Sequence, residues 1–114
     1  MMPDEVSVVD FFSGCGGTSV GFRAAGMKIA GAIDHDVDSS HSFSRNFIHA
    51  AILNRDIRHV EIDEVEAMTP SGGIRLFSGC APCQPFSRQN KYKSTADPRR
   101  TLLREFQKFV IALR

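Results

Sequence analysis

The chain has no tryptophan, a single tyrosine and only three cysteines in its 114 residues. So few cysteines, odd in number, exclude a disulfide framework and point to a reducing compartment. No apolar run approaches the roughly 20 residues that would span a bilayer. The opening Met1-Met2-Pro3-Asp4-Glu5 lacks the basic and apolar regions of a secretory leader. We therefore expect a cytoplasmic protein without a membrane partner. Repeats, low-complexity tracts and linker-like stretches are also missing, so the chain is one small domain or a piece of a larger one. What it does have is core-forming material: 42% hydrophobic residues, with nine phenylalanines.

Acidic residues are scarce after residue 70. The first 70 residues hold five Lys/Arg against eleven Asp/Glu, and residues 71–114 hold nine against two. The formal net charge of +1 thus hides a second segment of about +7, with Arg88, Lys91, Lys93, Arg99 and Arg100 in one short stretch. Such a cluster is either a solvated face or a surface for a polyanion.

Strand and helix signals alternate along the chain. Residues 6–12 are β-branched and aromatic and stop at glycines, as a buried strand does. Residues 18–26 read as a helix closed by Gly26. Strands are expected at 29–34, 51–53 and 74–78, and helices at 36–47 and 60–68. The last helix carries Leu102, Leu103, Phe106, Phe109, Val110 and Leu113 at helical spacing. This alternation predicts an α/β fold with a parallel, doubly wound sheet, whose ligands sit beyond the carboxyl ends of the strands. Residues 10–17, Asp34, Asp56 and Cys83 all follow expected strands, so one sheet edge gathers the chemically loaded positions.

Gly14-Cys15-Gly16-Gly17 after a strand lets backbone approach a ligand and opens a helix amino terminus towards it. Asp34, ending the next strand, can accept hydrogen bonds from ribose hydroxyls. Alternatively Asp34, Asp36 or Ser39 caps the following helix. Cys83, bracketed by Pro82 and Pro85 in Gly79-Cys80-Ala81-Pro82-Cys83-Gln84-Pro85-Phe86-Ser87, presents a reactive thiol at a strand end. Cys80-Ala81-Pro82-Cys83 is also a C-x-x-C, the pattern of thiol redox proteins, though no tryptophan precedes it. Zinc is not expected, because paired ligand spacing is missing. Cys15 and Cys80 are most simply small apolar fillers.

Taken together, these segments resemble the DNA cytosine-5 methyltransferase family. DFFSGCGG resembles the family's leading cofactor motif DLFxGxGG, and APCQPFS its catalytic PCQ motif. AIDHD, RDI and DPRRTLLREF resemble, in order, the ribose segment, the adenine segment and the helix after the catalytic loop. The resemblance implies a Rossmann-like S-adenosylmethionine-dependent methyltransferase fold, with a cofactor motif at 6–26 and a catalytic loop at 79–98. Cys83 would be the nucleophile. Phe11, Gly14, Cys15, Gly16 and Gly17 would line the cofactor pocket, Asp34 would hold ribose, His35 would stack on adenine, and Asp56 with Ile57 would hold it. Pro82 and Gln84 would flank a flipped base in double-stranded DNA, and Ser87 and Arg88 would meet the DNA backbone. Residues 87–97 would form a lid.

The chemistry the family implies is covalent. A thiolate adds at carbon 6 of cytosine, carbon 5 takes the methyl group, and loss of the carbon 5 proton and the thiol releases product. The family's ENV glutamate, its arginine-bearing catalytic motif, its target-recognition region and its closing cofactor motif have no counterpart in these residues. Residues 1–114 are therefore expected to be the amino-terminal half of such a catalytic domain, an incomplete sheet of about four strands in the order 3-2-1-4. The fourth strand would be an open edge, and a complementing chain is the expected partner. A truncation and a non-catalytic relic are the alternatives, and little activity is expected of these residues alone.

Overall fold

The computed structural model describes residues 5–79 and 98–114, with side chains of the last helix described from residue 102. Four parallel strands, β1 (Val6–Phe11), β2 (Lys28–Ile33), β3 (Ala51–Leu53) and β4 (Ile74–Gly79), form one sheet in the order β3-β2-β1-β4. Helices α1 (Gly17–Ala24), α2 (Val37–Asn46), α3 (Ile62–Met68) and α4 (Pro98–Ala112) connect and flank them. This is the parallel α/β sheet that the alternating pattern predicts, in the Rossmann-like order that the resemblance implies, with boundaries shifted by one or two residues.

The period of two in β1 separates two apolar layers. Val9 and Phe11 face one side and pack with Ile33, Ile57, Val60, Val65 and Phe109, while Phe77 and Phe106 close around them. Val8 faces the other side with Ile29, Ala32, Phe43 and Phe47. Phe11 is the centre of the first layer: its ring lies 5.1–5.3 Å from those of Phe77, Phe106 and Phe109.

Local chemistry ends the elements where the sequence suggests. Helix α1 closes with Gly26 at φ +90, while Gly26 N donates to Arg23 O and Met27 N to Phe22 O. That pair of bonds is a Schellman closure, which favours glycine at the left-handed position. Helix α2 is capped by Asp36, whose carboxylate accepts from Ser39 N at 3.1 Å and from the Ser39 hydroxyl. Helix α4 departs from expectation on one point. Leu102, Phe106, Phe109 and Leu113 pack on the sheet, but Leu103 and Val110 are exposed, as is Ile111. A straight helix on a sheet hides one stripe, and those residues fall outside it.

Candidate active site

Strand β1 stops at Phe11 because Phe12 turns into the left-handed region, at φ 60. A non-glycine residue there is strained, and such strain is kept where the surroundings over-determine it. The turn continues through Gly14 (φ 55) and Gly16 (φ 105) into α1. The glycines serve different ends. A Cβ on Gly16 would lie 2.9 Å from Phe47 and 3.0 Å from Phe43, so Gly16 is the close approach of the turn to α2. A Cβ on Gly14 or Gly17 would meet nothing within 4 Å, so these two border open space.

Asp34, just past the end of β2, ties this turn to its neighbours. Its Oδ2 accepts from Gly14 N at 2.7 Å and its Oδ1 from Asp36 N at 2.8 Å. Its carbonyl accepts from Asn54 Nδ2 and Ser40 Oγ, and its N–H donates to Leu53 O. The side chain is 13% exposed, so lone pairs of the carboxylate still reach the open side. His35 beside it is 77% exposed, with Nδ1 3.9 Å from Asp34 Oδ1.

A second carboxylate lies under the turn. Asp10 is buried, and its Oδ2 accepts from the fully buried Ser19 hydroxyl at 2.6 Å. Burial raises its pKa above the usual carboxylate value, the Ser19 hydrogen bond opposes that rise, and the nearby Asp34 charge adds to it. Asp10→Ala strands the Ser19 hydroxyl without its acceptor and should cost about 1–3 kcal/mol in urea unfolding. Asp10→Asn keeps an acceptor and sheds the buried charge, so it should unfold no earlier than the parent.

Past β3, Asp56 caps the 3-10 turn Ile57–His59, and its carboxylate accepts from Arg58 N, Nε and Nη2 at 2.9, 3.0 and 2.6 Å. This fork holds the Asp56 pKa down at about 2. A depressed pKa stabilises the fold above the ordinary 3.8, and the contribution is lost as pH falls through about 2. The pair is solvent-screened, so Arg58→Ala should lower stability at neutral pH only slightly. The melting-temperature gap between parent and variant should narrow as pH falls from 3.8 to about 2.

A model of C-5 cytosine-specific DNA methylases matches residues 6–114. The chain belongs to that family. It is 32% identical over 108 residues to the Type II methyltransferase M.HgiGI of Herpetosiphon aurantiacus, covering 95% of this chain and 82% of that protein. It is 32% identical to M.DdeI of Desulfomicrobium norvegicum over 105 residues, which are 92% of this chain but 25% of that one. Against M.HgiDI of H. aurantiacus the identity is 31%, over 95% of this chain and 34% of the relative. The chain thus spans most of one relative and a quarter to a third of others. Among solved structures, an E. coli prophage-encoded protein described as a DNA modification methyltransferase superposes with TM-score 0.76 and 26% identity, over 93% of this chain and 28% of its own. Spodoptera frugiperda DNMT2 superposes with TM-score 0.61 and 25% identity, over 87% and 30%.

Within this methylase fold the sequence-derived candidates separate. Gly14, Gly16, Gly17, Asp34 and His35 gather at the carboxyl edge of the sheet as expected, and Asp56 follows β3 towards the same edge. Two side chains do not join them. Phe11 is fully buried among Phe77, Phe106 and Phe109, so its ring cannot line a pocket. The half-buried aromatic at the turn is Phe12. Ile57 is 3% exposed and its side chain belongs to the core, leaving its peptide group for any ligand. Cys15 is exposed rather than an apolar filler, because it sits at the crest of the turn. Ser19 and Asn54 escaped the sequence reading, and Asp10 and Phe12 entered it only as members of the 10–17 segment, with no role of their own. The period of two in β1 was the available signal for Phe12, since it aligns Phe11 with Val9 inside.

Cys83, Pro82, Gln84, Ser87 and Arg88, together with Cys80 and the expected lid, lie outside the described residues. The all-parallel sheet and the family match leave the C-x-x-C redox reading without support. Among the described residues there is no metal-ligand cluster, and no helix is long and apolar enough to cross a membrane.

Proposed function

We propose that residues 1–114 form the cofactor-binding and nucleophile-bearing part of a DNA cytosine-5 methyltransferase that uses S-adenosylmethionine. One observation carries the reading: β1 and β4 are adjacent and parallel, with Phe11 paired to Gly79. The glycine turn and the strand leading into the PCQ segment therefore leave the sheet side by side. Cys83 follows Gly79 by four residues, a length of chain that spans at most about 14 Å.

The residues present suit the cofactor. Gly14 and Gly17 border open space that side chains would fill. Asp34 offers carboxylate lone pairs for ribose hydroxyls. The Asp10 and Asp34 charges favour a cationic sulfonium over a neutral or anionic ligand. Phe12 is the aromatic we assign to the pocket wall in place of Phe11. Asp56 and the Ile57 peptide group are assigned to the adenine, with His35 beside the ribose acid. When bound there, S-adenosylmethionine supplies an electrophilic methyl group.

The protein's part is the thiolate of Cys83, which adds to carbon 6 of a flipped cytosine and makes carbon 5 nucleophilic. Pro82 and Gln84 border that base, while Ser87, Arg88 and the basic stretch after them meet phosphates. Methyl transfer then requires groups beyond residues 1–114, above all an acid at the ring nitrogen. Double-stranded DNA in the cytoplasm is the substrate.

Incubation with a 5-fluorocytosine duplex, S-adenosylmethionine and a complementing half-domain should trap a covalent protein–DNA adduct on a denaturing gel. Cys83→Ser should abolish it. An adduct that survives that substitution, or none in any combination, overturns the assignment.

A further inference from the structure

Strands β2 and β3 end together, at the register pair Ile33 and Leu53. The segments that leave them carry the two acids assigned to the nucleoside, Asp34 and Asp56. One further main-chain bond joins these segments, from Asp34 N to Leu53 O at 3.2 Å. Beyond it a side chain takes over from the ladder. Asn54 Nδ2 donates to the Asp34 carbonyl at 3.0 Å and to Ser40 Oγ at 3.2 Å, and the buried Ser40 hydroxyl donates to the same carbonyl at 3.3 Å. The three groups form a closed triangle in which both lone pairs of the carbonyl are taken. A carbonyl only accepts, so chemistry fixes which end of the Asn54 amide faces it.

Each acid is also anchored away from the other. Asp34 Oδ2 holds the glycine turn through Gly14 N, while Arg58 grips Asp56. Arg55, between Asn54 and Asp56, ties its segment to α3, with Nη1 donating to Glu64 Oε1 at 3.0 Å. Among the described residues, the bonds of Asn54 are the only side-chain hydrogen bonds that join these two anchored segments. An asparagine at a strand end commonly folds back on its own backbone two residues on. Here the amide reaches a carbonyl 20 residues away, and among the described residues none of its side-chain bonds is to a neighbour in sequence. Asn54 is exposed, so it adds little to the core.

We propose that Asn54 is a positioning residue for the nucleoside end of S-adenosylmethionine: by holding the Asp34 carbonyl, it sets the spacing between the ribose acid and the adenine acid. The inference rests on the proposed function and adds the residue that fixes the geometry of that site. A ligand gripped at two points binds tightly where those points already stand at the right separation, since ordering them on binding costs affinity. The effect is therefore confined to ligands that use both acids. Asn54→Asp keeps the shape, loses both donors and sets an oxygen against the Asp34 carbonyl, so the two segments part. Its added negative charge favours a cationic ligand, so a neutral ligand reads the positioning cleanly.

Titration calorimetry on the full 114-residue chain with S-adenosylhomocysteine should show affinity falling at least about tenfold in Asn54→Asp and several-fold in Asn54→Ala. The urea midpoints of both variants should stay close to the parent's, because an exposed side chain is replaced. The 2′,3′-dideoxy form of the same ligand lacks the hydroxyls assigned to Asp34, so it should bind parent and variants alike. Parental affinity in both variants overturns the proposal. So does an equal loss for both ligands, which marks a general loosening of the site. Midpoints that fall together with affinity assign Asn54 to holding the fold and overturn it too. A parent that binds neither ligand defeats the proposed function, and this inference with it. A parent that binds S-adenosylhomocysteine and loses it in Asp34→Ala, with Asn54→Asp unaffected, keeps the proposed function and removes the role of Asn54.

Discussion

Gly16→Val should leave little folded protein, whereas Gly14→Ala should remain folded with a modest loss. Both glycines have positive φ, 105 and 55. The left-handed region costs a residue with a Cβ about 1–2 kcal/mol. At Gly14 that is the whole penalty, since a Cβ there meets nothing within 4 Å. At Gly16 the added Cβ falls 2.9 Å from Phe47 Cε2 and 3.0 Å from Phe43 Cδ2. Those rings are buried and pack on each other at 4.5 Å, so neither can withdraw without opening the α2 layer. Arg23 pins Phe47 from outside, its guanidinium 4.4 Å above the ring while Nη1 donates to Asn46 O. Overpacking of a core adds about 1–3 kcal/mol, and a β-branched side chain adds more than one carbon. The sum approaches the 5–15 kcal/mol that holds a small domain together, and is therefore about the scale of global unfolding. Urea denaturation followed by circular dichroism distinguishes the two variants. A Gly16→Val protein as stable as Gly14→Ala would show that the turn does not rest on Phe43 and Phe47.

The elements were legible because each obeys a local rule. A run of β-branched and aromatic residues cut by glycine makes β1, and Gly26 ends α1 because only glycine takes that conformation cheaply. Asp36 capping α2 follows from a short acceptor side chain three residues before a serine N–H. What the sequence concealed depends on partners far along the chain. Asp34 and Gly14 are 20 residues apart, and nothing local announces that the carboxylate binds the turn's own backbone. Asp10 and Ser19, nine residues apart, meet only because α1 folds back over β1. Phe11 and Phe12 are chemically equal, and only the point where β1 stops decides which enters the core. Leu103 and Val110 looked like core residues because helical spacing alone does not fix how wide a stripe the sheet covers.

Asp34→Ala should abolish S-adenosylmethionine binding, with affinity falling at least about a hundredfold, as expected when a charged partner of buried polar groups is removed. Two effects contribute, and they can be separated. The carboxylate would bind ribose hydroxyls directly, and it also holds Gly14 N and Asp36 N in the conformation that leaves the turn open. Asp36→Ala keeps the backbone N–H that Asp34 binds and removes only the α2 cap beside it, so it disturbs the order of this segment without touching the ribose acid. Its cofactor affinity should stay within a few-fold of the parent, because among the described residues the Asp36 side chain accepts only from Ser39. Asp34→Asn keeps the shape and one acceptor oxygen but loses the charge that favours a sulfonium, so it should fall between the parent and the alanine variant. Titration calorimetry with S-adenosylmethionine and with S-adenosylhomocysteine tests this ordering. The charge argument predicts that Asp34→Asn loses more affinity for the cationic donor than for the neutral product. Equal losses for both ligands would make Asp34 a hydrogen-bonding anchor only, and an Asp36→Ala loss as deep as Asp34→Ala would reduce its role to ordering the loop.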